Sequence, residues 1–541
     1  MSVDWGFKVK TVVLWMTAIY FQSAISRQQE KQPPHIILIV VDDWGWDDVS
    51  LHGSDQIPTP NIDALAHQGV ILHNYYVQPI CTPTRGALMT GRHPIHLGLQ
   101  HDVIYGAQPY GLRLNETIMP QYFHNLGYTT HMIGKWHLGF FTEDHTPTHR
   151  GFETHFGYYC GHEDYYDRLA GEGKYWGYDM RRNGVLDYST YNQYATDLFT
   201  MEALKTIGTY ANSTKPLFLY LAHLGVHAGN DIYPLQAPDS YTSRFPNIKS
   251  EKRKLLAGMV AAVDDSIGYV VQALQANGMY NNSIVVVTTD NGGPTNGYDG
   301  NDASNWPLRG CKHTLWEGGV RGTGFVHSPL LSAPGRVTTE MMHVCDWLPT
   351  LYHAAGGDIK DLPGNLDGFN LWDTLSSGVP SPRTEILHNI DPVSKTAALR
   401  VGSYKIVIGE DAGGHYDGWY KPDEITDENQ SFKRGNSSLK SPLKIDCGPK
   451  PENASTNCKP AEKPCLYDIS KDPCEFTNLA DKLPDVLEKL LSILDAYNAT
   501  SVEPMNPALD PAADPAKHNG AWVPWVNPAS AEDVKKYGRY L

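Results

Sequence analysis

The sequence is short of positive charge. Its 541 residues include 44 lysines and arginines against 60 aspartates and glutamates, which gives a formal net charge of −16. This balance argues against nucleic acid as a partner, because phosphate binding needs a basic face. It also gives no long-range attraction for a polyanionic substrate, so any anion must be bound in a local cationic pocket. Internal repeats and heptads are absent as well, which leaves an ordinary globular fold.

Long apolar runs are scarce outside the N-terminus. Lys8 and Lys10 precede an apolar run over residues 11–21, and Ala24-Ile25-Ser26 fits a cleavage site. This pattern predicts a signal peptide over residues 1–26, with an uncleaved anchor as the alternative. Later segments are too short or too polar for a predicted span, so we expect no stable membrane insertion.

The CxxC pairs typical of structural zinc sites are also absent. Four of the eight cysteines cluster near the C-terminus, and we expect them to form disulfides of undetermined pairing, with a zinc knuckle as the alternative. They are Cys447, Cys458, Cys465 and Cys474. Seven N-x-S/T sequons beside a signal peptide favour a glycoprotein of the secretory pathway, either lysosomal or extracellular. The sequons are at Asn115, Asn212, Asn281, Asn429, Asn436, Asn453 and Asn498.

Short apolar runs alternate with longer helical patterns along most of the chain. The runs are unbroken, as in strands that a mostly parallel sheet buries on both faces. They cover residues 36–41, 128–133, 217–221 and 284–288. One helix is predicted to begin at Thr59-Pro60. Three more are predicted over residues 193–210, 251–277 and 339–355. The alternation predicts an α/β fold with a large mixed, mostly parallel sheet flanked by helices.

The pattern changes after about residue 380. A hairpin is predicted over residues 397–408, then a polar stretch over 410–465 and a helix over 483–497. A Pro/Ala-rich tail at 503–517 is expected to be extended. Residues 27–380 are therefore predicted to form the larger domain. Residues 381–541 are predicted to form a smaller C-terminal α+β domain with a Cys-rich loop and this tail.

Acidic side chains follow two of the predicted strands. Asp42 and Asp43 come after the first strand, and Asp290 and Asn291 come after the last one, before two glycines that suit a tight turn. Open α/β sheets bind ligands at the carboxyl ends of their strands. Adjacent carboxylates repel each other unless a cation neutralises them, and oxygen donors suit Ca²⁺ or Mg²⁺ better than Zn²⁺. An isolated Asp-Asp pair is more often a solvated turn, but two such strand ends predict a metal site.

Cys81 lies two residues before Pro83, which is placed to open a helix. The N-terminus of a helix favours anions, so Cys81 is a candidate thiolate nucleophile. The alternative from the residues alone is a buried structural cysteine.

Several motifs identify the family. Cys81-Thr82-Pro83-Thr84-Arg85, followed by Thr90-Gly91-Arg92, resembles the signature of the sulfatases, formylglycine-dependent enzymes of the alkaline-phosphatase-like superfamily. Gly134-Lys135-Trp136-His137-Leu138-Gly139 resembles their second signature. Other segments are especially similar to the arylsulfatase B branch, among them Asn305-Trp306-Pro307-Leu308-Arg309-Gly310 and Asp346-Trp347-Leu348-Pro349-Thr350-Leu351. The resemblance covers nearly everything after the signal peptide and is weakest over residues 410–465.

The resemblance implies a site and a mechanism. A formylglycine-generating enzyme would oxidise Cys81 during maturation, and the hydrated aldehyde would attack sulfur and later eliminate sulfate. One Ca²⁺ would be held by Asp42, Asp43, Asp290, Asn291 and the modified Cys81. Among the other implied catalytic residues, Arg85 holds the formylglycine. Lys135 and His137 contact the diol and the sulfate. Either His227 or Lys312 assists the leaving oxygen. Residues 27–380 would then be the catalytic domain.

The resemblance also implies a substrate. The expected activity is removal of the 4-sulfate from N-acetylgalactosamine units of dermatan or chondroitin sulfate. A sulfatase for small metabolites, such as aryl sulfates or glucosinolates, is the alternative, because residues 228–236 lengthen the usual segment after His227. Phosphoryl transfer is disfavoured because such enzymes favour Ser or Thr nucleophiles and two-metal sites with several His. A non-catalytic binding protein is disfavoured because the catalytic set is complete. Cys311 and Cys345 also depart from the family pattern, either as a disulfide or as two free thiols.

Overall fold

The computed structural model of the protein describes residues 32–422 and 443–540. The predicted signal peptide and the sequons at Asn429 and Asn436 lie outside the described residues. Ten strands of the described chain form the large sheet: β1 (His35–Val41), β2 (Val70–Tyr76), β3 (Thr129–Lys135), β4 (Thr154–Tyr158), β7 (Arg181–Arg182), β8 (Val185–Leu186), β9 (Leu217–Ala222), β10 (Ser283–Thr289), β11 (Gly324–His327) and β12 (Arg336–His343). Two further strands between them, β5 (Leu169–Glu172) and β6 (Tyr175–Tyr178), pair with each other.

The large sheet is mixed and mostly parallel. Its strand order is β12-β2-β11-β10-β1-β9-β3-β4-β7-β8. The central strands β10, β1, β9, β3 and β4 run parallel, and β11 and β7 pair antiparallel to their neighbours. All four predicted apolar runs lie in central strands, so the predicted fold class is confirmed.

Helices cover both faces of this sheet. They are α1 (Pro60–His67), α2 (Cys81–Thr90), α3 (Pro94–Leu97), α4 (Met119–Asn125), α5 (Ala195–Thr209), α6 (Asp239–Thr242), α7 (Glu251–Ala276), α8 (Glu317–Val320), α9 (Trp347–Ala354) and α10 (Trp372–Ser377). Successive residues of a strand point to opposite faces. Accordingly Leu38 of β1 packs in one core with Leu88 of α2, and Ile39 packs in the other core with Val260 of α7.

One of these helices is long and apolar enough to cross a membrane, judged by its length and composition alone. The helix α7 has 26 residues with a mean hydropathy of 1.3 in its most apolar window, and 72% of that window is buried within the protein. The prediction that no later segment is long and apolar enough is therefore wrong for α7. Its apolar residues pack against the sheet and α5, as in the core helix of a globular domain.

The predicted helix over residues 339–355 is wrong in its first half. Residues 336–343 form the edge strand β12, which pairs parallel with β2, and α9 begins only at Trp347. Val337, Thr338 and Thr339 are β-branched, which favours a strand on a half-exposed edge. Local periodicity alone does not show that β2 is available as a partner.

A second, antiparallel sheet follows the large one. It contains β13 (Glu385–Asp391), β14 (Thr396–Val401), β15 (Tyr404–Ile408) and β16 (Cys465–Asp468), in that order, and α11 (Pro484–Asn498) packs on it. The predicted hairpin and helix are present. The boundary at residue 380 stays a prediction, and it lies between α10 and β13.

The cysteines near the C-terminus form two disulfides. Cys447 pairs with Cys474, and Cys458 pairs with Cys465, so the alternative of a zinc knuckle does not hold. Cys311 and Cys345 are free, buried thiols, which excludes the disulfide between them.

The C-terminal tail packs against the segment that follows α3. Its backbone amides at Met505 and Asp510 donate to the carbonyls of Gly98 and Ala107, at 2.9 and 2.8 Å. Trp522 is completely buried, and the chain ends in α12 (Ala531–Tyr537). The tail therefore contacts residues of the predicted larger domain, and its assignment to the C-terminal domain stays a prediction.

Candidate active site

The two acidic strand ends are brought side by side by the register of β1 and β10. Val41 lies opposite Thr289 in this parallel pair, so Asp42 and Asp290 leave the sheet next to each other. The backbone N–H of Asp43 donates to Asp290 Oδ1 at 3.2 Å. All three carboxylates and Asn291 are fully buried. A buried acidic cluster of this kind requires compensating positive charge.

Two cations compensate Asp42 and Asp290. Lys135 Nζ, at the end of β3, lies 2.6 Å from Asp42 Oδ2. Arg85 of α2 donates through Nη2 to Asp290 Oδ2 at 2.7 Å and lies 3.6 Å from Asp42 Oδ2. Burial opposes the ionisation of Asp42, but the charges of Lys135 and Arg85 outweigh it and hold the pKa of Asp42 below its usual range. Arg85 therefore fixes both strand ends to the helix that carries Cys81.

Asp43 is less fully compensated. Its backbone has a φ of 58°, and its carboxylate accepts hydrogen bonds from Lys312 Nζ at 2.9 Å and Asn291 Nδ2 at 2.7 Å. Burial raises the pKa of Asp43 to about 7, because Lys312 offsets only part of the desolvation and Asp42 and Asp290 add repulsion. An additional cation at this position would remove that conflict.

The donor set fits a hard metal ion. Asn291 Oδ1 is buried without a hydrogen-bond partner among the described residues, so one amide oxygen is left available as a ligand. Ligand atoms of Asp42, Asp43, Cys81 and His227 lie within 4.8 Å of one another. The structure thus adds His227 to the predicted cluster. A set dominated by carboxylate and amide oxygens favours Ca²⁺ or Mg²⁺.

Cys81 is the first residue of α2, which begins two residues earlier than the position of Pro83 predicted. Its side chain is 2% exposed, and Sγ lies 3.8 Å from Asp42 Oδ1. Burial raises the pKa of the Cys81 thiol far above its usual range, despite the nearby Lys135. The unmodified thiol would therefore be protonated, so the thiolate nucleophile considered from the sequence is disfavoured.

Two histidines and Lys312 lie around Cys81 in the same pocket, which we call the active-site pocket. Lys312 Nζ lies 3.1 Å from His227 Nε2, and His227 Nδ1 lies 2.7 Å from the carbonyl of Ala228. His137 Nδ1 is buried and without a partner among the described residues. Burial and nearby lysines hold the pKa of both histidines well below the usual range. Both are therefore neutral, so each ring has one nitrogen that donates and one that accepts a hydrogen bond.

The structure brings all of the predicted site residues together. It also adds two residues that no sequence motif predicts. Asp299 lies in a loop after β10 and accepts from Lys312 Nζ at 2.9 Å. His162 lies in the active-site pocket and stacks on His227, with ring centroids 5.7 Å apart. Neither belongs to a local motif, so only the folded chain places them near Lys312.

The glycines after Asn291 have a different role from the predicted one. Neither has a positive φ. A Cβ on Gly292 would lie 1.8 Å from the carbonyl oxygen of Gly318. Gly292 donates to the carbonyl of Gly319 at 2.9 Å, and Lys312 donates through its backbone to that of Gly293 at 3.2 Å. The glycines therefore allow α8 and the backbone of Lys312 to approach the residues that follow β10.

Comparisons with known proteins agree with this geometry. The family model described as Sulfatase matches residues 34–357. Arylsulfatase J of Mus musculus is 40% identical, over 96% of this chain and 87% of the relative. N-acetylgalactosamine-6-sulfatase of Mus musculus is 27% identical, over 94% and 92%. The solved structure of Ps i-CgsB in complex with k-i-k-neocarrahexaose is 26% identical with a TM-score of 0.70, and the match covers 94% of this chain and 98% of that one.

The family model covers more than half of the chain, and a relative with 40% identity extends over nearly all of it. Members of this family use a formylglycine derived from cysteine together with a metal ion, and Cys81 lies beside the acidic cluster as that chemistry requires. The chain therefore belongs to the sulfatase family and is a sulfuric ester hydrolase.

Proposed function

We propose that the protein hydrolyses sulfate esters with a formylglycine made from Cys81 and with one Ca²⁺ at the two strand ends. The observation that carries this proposal is the position of Cys81 Sγ, 3.8 Å from Asp42 Oδ1, together with the unpartnered Asn291 Oδ1 just after β10. Asp42, Asp43, Asp290, Asn291 and the modified residue 81 would hold the ion. When bound, Ca²⁺ supplies positive charge that favours an ionised nucleophile and offsets the charge of the sulfate group.

We assign separate roles to the cationic residues and to His137 of the site. Arg85 and Lys135 hold Asp290 and Asp42 in place and supply fixed positive charge close to Cys81. Such preorganised charge stabilises a transition state in which negative charge grows on the sulfate oxygens. His137 lines the active-site pocket, and we assign to it the removal of a proton during release of sulfate.

We assign protonation of the leaving oxygen to Lys312. His227 Nδ1 donates to the carbonyl of Ala228, which leaves Nε2 as an acceptor for a proton of Lys312. Burial opposes the charge of Lys312, but Asp299 and Asp43 outweigh it and hold its pKa well above the usual range. Lys312 therefore carries the proton, and His227 orients it.

The proposed substrate is a sulfated saccharide, with the 4-sulfate of N-acetylgalactosamine as the specific candidate. The name of one relative, N-acetylgalactosamine-6-sulfatase, refers to a sulfated amino sugar, and that of another, arylsulfatase J, to aryl sulfates. A sulfatase for small aryl sulfates or glucosinolates is the second candidate, favoured by the longer segment that follows His227. Turnover of sulfated disaccharides against aryl and thioglucoside sulfates decides between them.

We further propose passage through the secretory pathway, to the lysosome or the extracellular space, with a formylglycine-generating enzyme as the maturation partner. The two disulfides support this route, because such bonds persist in oxidising compartments. Enzymatic removal of N-glycans from native protein should reduce its apparent mass.

Mass spectrometry of the tryptic peptide that contains Cys81 tests the central proposal. Protein from its native source should contain formylglycine at this position and should hydrolyse a chromogenic aryl sulfate over many turnovers. Cys81→Ser should transfer one sulfate and stop, because a serine carbon has a single oxygen and cannot eliminate sulfate. Unmodified cysteine in fully active protein, or steady turnover by Cys81→Ser, would contradict the mechanism.

A further inference from the structure

The walls of the active-site pocket are acidic. Lys312 is the one lysine or arginine that lines the pocket within the described parts of the chain, and Asp43 and Asp299 already pair with it at 2.9 Å. The other acidic side chains of the walls are Asp102, Glu172 and Asp231. The space around the part of a substrate that lies beyond the reacting sulfate is therefore negative.

Asp102 and Asp231 provide standing negative charge at these walls. Asp102 accepts hydrogen bonds from the backbone of Val103 at 2.8 Å and from the Tyr105 hydroxyl at 3.0 Å, so it is held in place. Asp231 is exposed and lies in the lengthened segment after His227. His162 does not offset them, because burial lowers its pKa to about 4 and it stays neutral. A second anionic group on a substrate would be repelled here.

Two tyrosine rings line the pocket together with these carboxylates. Tyr105 is 37% exposed, and Tyr298 lies on the wall beside Asp299. Flat apolar faces next to acceptor-only carboxylates match a ring with C–H faces and hydroxyl donors. A sugar has both features, whereas a small aryl group has no hydroxyl donors to satisfy the carboxylates.

We infer that the active-site pocket selects a sulfate ester of an otherwise neutral, hydroxyl-bearing sugar and discriminates against a second anionic group next to the reacting sulfate. This inference rests on the proposed function and narrows its substrate class. Within the first candidate, it favours a sulfated amino sugar without an adjacent charged uronate. Asp102 and Asp231 are the residues that determine this specificity.

The test uses a pair of substrates that differ only in charge. A disaccharide of sulfated N-acetylgalactosamine and a uronic acid is compared with its uronate methyl ester, with formylglycine-bearing enzyme at 20 mM salt. We expect kcat/KM for the methyl ester to exceed that for the free acid by about tenfold or more, since charges within a Debye length interact at this ionic strength. The ratio should fall towards one at 0.5 M NaCl, which a purely steric preference would not do.

Variants of Asp102 and Asp231 test whether these two residues cause the preference for the methyl ester. Asp231→Asn and Asp102→Asn should each lower the ester-to-acid ratio several-fold, while Glu452→Gln, an exposed charge outside the pocket lining, should leave it unchanged. A ratio near one at low salt, or a ratio that neither Asp variant alters, overturns the inference. Hydrolysis of 4-nitrophenyl sulfate by the same preparation separates the two proposals: its absence contradicts the proposed function, whereas its presence with a ratio near one contradicts only the substrate selection.

Discussion

At the scale of single residues, the contact between Lys312 and His227 decides which group holds a proton. Because His227 accepts from Lys312 and donates to Ala228, Lys312→Met should remove the acid. We expect kcat/KM for a sugar sulfate to fall by about 10²–10⁴, the usual contribution of a general acid. The loss should be much smaller for 4-nitrophenyl sulfate, because nitrophenolate leaves without a proton. Steady-state kinetics on both substrates measure the difference.

Lys312→Arg is the matched control for this prediction. It keeps the positive charge beside Asp43 and Asp299, but a guanidinium is a far weaker acid than an ammonium group. It should therefore show the same dependence on the leaving group as Lys312→Met, with a smaller loss on the aryl sulfate. Equal losses on both substrates would mean that Lys312 acts only through its charge.

The metal site gives a second prediction for single residues. Chelation with EGTA should abolish ester hydrolysis and lower the Tm, and added Ca²⁺ should restore both, because a ligand that binds only the folded state stabilises it. Asn291→Ala removes the unpartnered Oδ1 and should weaken Ca²⁺ binding at least about tenfold, the lower end of what loss of an outer-shell partner costs. Calcium-dependent shifts in Tm measure this affinity.

Asn365→Ala, at an exposed position, serves as the control and should bind Ca²⁺ like the parent protein. Full activity after exhaustive chelation would exclude a catalytic metal. An unchanged calcium affinity in Asn291→Ala would remove Asn291 from the ligand set.

At the scale of helices and strands, predictability depended on burial. The strands β1 and β10 are buried along almost their whole length, so their unbroken apolar runs predicted them and placed both acidic strand ends correctly. The edge strand β12 is only half buried, and its mixed pattern was mistaken for the start of a helix. Asp299 and His162 were missed because their loops are positioned by tertiary contacts rather than by any local pattern.

The close approach of Gly292 to Gly318 can be tested by adding one methyl group at position 292. Gly292→Ala places a Cβ 1.8 Å from the backbone oxygen of Gly318 in α8, so either α8 or the segment after β10 must move. We expect the free energy of unfolding to fall by about 1–3 kcal/mol or more, as for other overpacked sites, and activity to fall with it because the Lys312 loop shifts. Chemical denaturation and aryl sulfate turnover measure the two effects.

Gly208→Ala is the matched control. Gly208 is an exposed glycine near the end of α5 with no atom within 4 Å of an added Cβ, so alanine should stabilise the protein by about 0.5–1 kcal/mol. If Gly292→Ala were as well tolerated as Gly208→Ala, the close approach of Gly292 to α8 would not be needed for the site.

At the scale of the whole molecule, the C-terminal tail supports a wall of the active-site pocket. Trp522 donates through Nε1 to the carbonyl of Ala170 at 3.0 Å, and its backbone N–H donates to that of Tyr178 at 3.0 Å. Both partners lie in the hairpin of β5 and β6, whose residues Gly171 and Glu172 line the pocket. A residue close to the end of the chain therefore holds a substrate-facing element more than 340 positions earlier.

Replacing this anchor should separate binding from chemistry. Trp522→Ala removes a completely buried indole and should lower the free energy of unfolding by about 3–5 kcal/mol. Because the β5–β6 hairpin loses its support while Cys81 and the metal ligands keep theirs, KM for a saccharide sulfate should rise several-fold more than kcat falls. Val534→Ala, at a 47% exposed position of α12, should change neither quantity appreciably. A loss of stability with unchanged KM would show that the tail stabilises the fold without shaping the pocket. A fall in kcat as large as the rise in KM would show that the tail also affects the catalytic residues.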